Sequence, residues 1–134
     1  MAYEESLRSI TMNADASVGI YTGVPGTAGA ADPNSGKQYC FVKVTGPHQV
    51  GMAVAADANV IGVLQNKPQG VGHAATVGYQ GVSKVRVGVA VAAGGDVYAD
   101  ASGFGAATGT NKLGIALMAA TAANQVIPVL LRVN

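Results

Sequence analysis

Val82-Ser83-Lys84-Val85-Arg86-Val87-Gly88-Val89-Ala90-Val91 decides the fold class. Its first six residues alternate, a period of two that puts the valines on the inward face of a β-strand and Lys84 and Arg86 on the outward face. Its last five follow a pattern found twice more, in Val50-Gly51-Met52-Ala53-Val54 and Leu113-Gly114-Ile115-Ala116-Leu117. In all three, large apolar residues alternate with Gly or Ala, so the bulk is expected on one face and the other is nearly bare. Regularity spent on thin, tightly packed strands, with almost none on ionisable clusters, points to a structural role before an enzymatic one.

Working outward, Tyr39-Cys40-Phe41-Val42-Lys43-Val44 is rich in strand formers and is ended by Gly46-Pro47. Val60-Ile61-Gly62-Val63-Leu64, Ala74 to Tyr79 and Val97-Tyr98-Ala99 are further strands, separated by turns at 57–59, 66–70, 93–96 and 100–103. The Ala-rich stretch from Ala116 to Ala123 has helix propensity. Gly114 at its start and the β-branched, Pro-interrupted run Val126-Ile127-Pro128-Val129-Leu130-Leu131 favour two strands instead. Pro128 cannot donate to a ladder, which predicts an edge or a bulge there.

Residues 1 to about 18 mix single apolar residues with charge and contain no Gly. From Gly19 to Gly36 the composition turns abruptly to Gly, Pro, Ala, Thr, Asp and Asn. This predicts an N-terminal arm and a Gly/Pro-rich loop over 1–36 and a β body over 37–134. Tyr3, Leu7 and Ile10 are the arm's apolar anchors; they either pair along an edge of a partner or pack on their own body.

At 134 residues the chain is one domain, long enough to bury about two-thirds of its unfolded surface. Charged residues are only 11% and hydrophobic ones 49%, so Gly, Ala, Ser, Thr and Asn must cover much of the surface, which suits an oligomer. Net charge is +1, and the eight Lys and Arg are scattered singly, with no basic stripe to hold nucleic acid. No run reaches the roughly 18 apolar residues of a membrane helix. Glu4, Glu5 and Arg8 precede any apolar run, the wrong order for a secretory signal, so a soluble protein made in a cytoplasm is expected.

The inventory for chemistry is thin. Cys40, the single cysteine, excludes an internal disulfide and reads as a buried strand thiol. His48 and His73 lie beside turns without a second ligand at metal spacing, so no metal site is expected. The carboxylates mostly occupy turn or arm positions, where capping explains them. No phosphate-cradling or nucleophile-elbow motif occurs around the glycines. Neither a catalytic residue nor a cofactor is called.

Gly62-Val63-Leu64-Gln65-Asn66-Lys67-Pro68, Ala75-Thr76-Val77, Gly81-Val82-Ser83-Lys84-Val85, Val91-Ala92-Ala93-Gly94-Gly95-Asp96-Val97, Asp100-Ala101-Ser102-Gly103, Gly114-Ile115-Ala116-Leu117 and Val129-Leu130-Leu131 follow one another in an order that resembles the capsid decoration, or cement, proteins of tailed phages. The resemblance covers about residues 50–134. It implies a virion protein on the outer capsid surface, commonly a homotrimer, that clamps neighbouring copies of the major capsid protein; production would be in the host bacterial cytoplasm. It carries no catalytic residues. The resulting expectation is an all-β domain, a small β-tulip-like barrel or sandwich with an extended N-terminal arm. The rival readings are a head-fibre or tail-associated β module, and a small ligand-binding or enzymatic β-barrel with a pocket of convergent polar groups.

Overall fold

The computed structural model describes residues 6–18, 37–55 and 57–132. Among them lie nine strands and no helix: β1 (Leu7–Ala14), β2 (Phe41–Gly46), β3 (Gln49–Met52), β4 (Val60–Leu64), β5 (Ala74–Arg86), β6 (Asp96–Ala99), β7 (Gly105–Ala106), β8 (Gly114–Ala116) and β9 (Val126–Leu131). The first five close into a barrel in the order β1-β3-β2-β4-β5, with β5 pairing back onto β1. The sheet continues from β5 through β9, β8 and β6 to β7. The all-β expectation holds: strands β8 and β9 flank the Ala-rich stretch, whose residues 117–123 form no helix but an irregular connection with one isolated bridge, Val91↔Ala120.

Long β5 joins the two parts. Its first half lies between β4 and β1, and its second half pairs with β9 from Gly81↔Leu131 to Arg86↔Val126. Residues 74–79 and 82–87 were expected as separate strands; 74–86 are one, with a register shift against β1 between Gly78 and Gln80. At Gly81 φ is +110°, and a Cβ would collide with the Ser6 carbonyl, so only glycine lets the start of β1 approach there.

Two apolar clusters form the core. Met12, Ala14, Val42, Val50, Leu64, Ala75 and Val77 fill the barrel, while Phe41, Val63, Val85, Val87, Val97, Val129 and Leu131 pack a second layer against the extension. Phe41 and Val42, like Val63 and Leu64, point to opposite faces and are all fully buried. Strand β4 and the start of β2 are therefore covered on both sides, which is why Val60–Leu64 runs apolar without alternation.

Four further expectations need correction. Over residues 7–14 the chain is not an arm but a barrel strand, paired with β5 from Leu7↔Gly81 to Asn13↔Ala74 and with β3 at its end. Burial of Met12 and Ala14 on alternate positions holds it there. Met1–Glu5 and the Gly/Pro-rich stretch 19–36 lie outside the described residues.

The apolar repeats also differ from their reading. Ala53 and Ala116 point inward and are fully buried, while Val54, Val89 and Leu117 are exposed. The glycines face close neighbours: a Cβ on Gly114 would lie 2.6 Å from the Leu130 carbonyl oxygen, and one on Gly51 or Gly88 would meet the Asp15 or Asp100 carboxylate. Likewise Ser83 is inward, buried with Val85 and Val87, and Val82 shares the outward face with Lys84 and Arg86.

Pro128, finally, is at neither an edge nor a bulge. It stands opposite Lys84 on β5, and on its other side its carbonyl accepts a 2.9 Å bond from Leu117 N–H, just beyond the end of β8. The missing donor therefore falls where the β8 ladder has already stopped.

Candidate interaction surface

The register of β5, β9 and β8 builds one outward face. Arg86 stands opposite Val126, Lys84 opposite Pro128, and Val82 opposite Leu130, which in turn faces Ile115. Directly paired residues of antiparallel strands point the same way. The face is thus a row of apolar side chains interrupted by two cations. Val126 is 44% exposed and nearby Leu117 47%. Its one acid, Asp96 opposite Ile115, is held by Lys112 at 2.8 Å.

At one end of this face a groove of about 420 Å³ is lined by Tyr39, Lys84, Val126, Ile127 and Pro128. Tyr39 has φ +66°, a left-handed conformation that costs a bulky residue about 1–3 kcal/mol. Two backbone bonds fix it: Tyr39 N–H donates to Leu64 O at 2.7 Å, and Arg86 N–H donates to Tyr39 O at 2.8 Å. Lys84 Nζ stands 5.8 Å from the centre of the Tyr39 ring, within cation–π range.

Every described carboxylate is already engaged elsewhere. Asp15 accepts from Ser17, Asp57 pairs with Lys43 at 2.9 Å, and Asp100 accepts the Ser102 and Phe104 N–H groups at 2.7 and 3.0 Å. Burial pushes the Asp57 carboxyl up, but the bonds from Lys43 and from Val54 N–H outweigh it and hold it below its ordinary value.

Of the three expected tether residues, the structure describes two. Tyr3 lies outside the described residues. Leu7 is half-buried and packs against the second-layer core, and Ile10 on β1 is 42% exposed. Cys40 is buried as expected, just before β2; burial pushes its thiol up to about 11, with Asp100 adding to the rise and Lys37 and Arg86 opposing it.

His48 and His73 come to the same end of β1, their carbonyls accepting from Asn13 and Ala14 N–H at 2.9 Å each. Both side chains are exposed, and among the described residues no group of three His, Cys, Asp or Glu could hold a metal ion.

Sequence reasoning missed the groove because Tyr39 and Val126 meet only through the register of β9 on β5. The available signal was the unbroken apolar run 126–131 carrying a proline, which cannot hide all its side chains in a strand that alternates faces. Comparison of the chain with protein-family models and with curated proteins finds no match in either.

Proposed function

We propose that this protein decorates the outer surface of an assembled icosahedral phage head, as homotrimers that bridge neighbouring copies of the major capsid protein. The observation that carries this reading is the outward β5–β9–β8 face, whose apolar side chains run across three strands around Lys84 and Arg86. Such a face favours contact with other protein surfaces. The order of motifs along residues 50–134 supplies the kind of partner.

The mechanism is mechanical. A protein that binds the assembled shell and not its separated subunits stabilises the assembled state by mass action. Many weak identical contacts on a repeating lattice add up to firm attachment. The rigid closed barrel transmits load between the subunits it touches, and no step requires proton transfer or a cofactor.

Attachment through an N-terminal arm gives way in this reading to attachment through the sheet face, since β1 is a barrel strand. Co-sedimentation with undecorated heads tests it. Saturable binding that survives moderate salt is expected of a mainly apolar contact; a protein that stays in the supernatant at every concentration sinks the reading.

A further inference from the structure

The groove beside Tyr39 has the makings of a specific subsite within that face. Its walls are apolar at Val126 and Pro128, and its one cation, Lys84, has the Tyr39 ring beside it and no carboxylate partner among the described residues. The four described carboxylates, Asp15, Asp57, Asp96 and Asp100, are bonded within the chain at other places. None of these four supplies an anion complementary to Lys84. The strained Tyr39 backbone, held by two hydrogen bonds, keeps the aromatic wall in place before anything binds.

We propose that the groove seats an extended segment of a partner protein that sets an aspartate or glutamate against Lys84 and lays a flanking apolar side chain on Val126 and Pro128. The charge selects the segment and fixes its register, while the apolar contacts hold it. That the partner is the shell protein rests on the function proposed above; the chemistry of the segment does not.

A library of random heptapeptides, panned on the full-length chain, tests the chemistry. The expected pool carries an acid flanked by apolar residues. It binds about tenfold more weakly to Lys84→Glu, and equally well to Lys67→Glu, the same charge change on an exposed turn. Lys84→Gln serves in place of Lys84→Glu if the latter melts early. Backbone amide shifts on titrating one selected peptide are expected at Tyr39, Lys84 and Ile127.

A pool without acids, or binding indifferent to Lys84→Glu, overturns the proposal. So does binding that appears only after Glu4 and Glu5 are changed to Gln, which would make the chain's own N-terminus the occupant. Self-association lost in Lys84→Glu would assign the groove to a second copy and overturn it equally. Heads that bind Lys84→Glu as tightly as the wild type remove the groove from the attachment and leave the decoration reading intact. Heads that bind neither remove the decoration reading, and the peptide result still decides the groove.

Discussion

Gln65 Nε2 donates a 2.8 Å hydrogen bond to Ser83 Oγ, joining the end of the barrel's β4 to the half of β5 that carries the extension. Ser83 is 2% exposed and its hydroxyl donates to the Lys84 carbonyl at 2.9 Å, while Gln65 also donates to Val63 O at 3.0 Å. The hydroxyl is thus satisfied on both sides inside an otherwise apolar layer.

Removing one partner of this pair leaves the other buried with less than its full set of bonds. Gln65→Ala and Ser83→Ala should each cost about 1–2 kcal/mol in urea unfolding. The double variant should cost less than the sum, by about 0.5–1.5 kcal/mol. Strict additivity would mean that the bond does not couple the two parts.

Gly62 on β4 lies against the Gly78 carbonyl of β5, where a Cβ would collide with backbone. Gly62→Ala should therefore destabilise by about 1–3 kcal/mol, the opposite of the gain that alanine brings at an unstrained glycine. Thermal melting measures it, and an unchanged melt would mean that β4 and β5 separate easily.

Because β1 closes the barrel, a chain lacking residues 1–18 should lose cooperative unfolding and its β-sheet circular dichroism. Met12→Ala, a milder change to the same strand, should cost about 2–3 kcal/mol. A truncated chain that melts like the full one would return residues 7–14 to the status of an arm.

Cys40 should react slowly with a maleimide at pH 8, since burial disfavours its thiolate. The folded thiol titrates near 11 against an ordinary 9.0, so unfolding releases its proton more readily. The buried neutral thiol carries no pH penalty below about pH 9, and stability falls as pH rises from there through about 11. Relative to Cys40→Ala, the wild type should lose about 2–3 kcal/mol across that window. Parallel profiles for the two chains would place the thiol in solvent.

Much of this fold is legible in the residues themselves. Val60–Leu64 is a strand at the expected bounds, because a short apolar run between two turns has few other options. Strand β1 was obscured by the composition break at Gly19, although Met12 and Ala14 already alternate with Thr11 and Asn13. The three Gly/Ala repeats misled because alternation tells which residues share a face, not which face is inside. Ala53 and Ala116 go inward and are fully buried in the core. The groove depends on long-range register, which no local pattern encodes.

The most direct measurement is a cryo-EM map of undecorated phage heads incubated with this protein. The proposed function requires barrel-shaped density in groups of three on the outer shell, with the β5–β9–β8 face turned onto protein rather than onto solvent. Bare heads after incubation, or isolated copies with that face pointing outward, would contradict it.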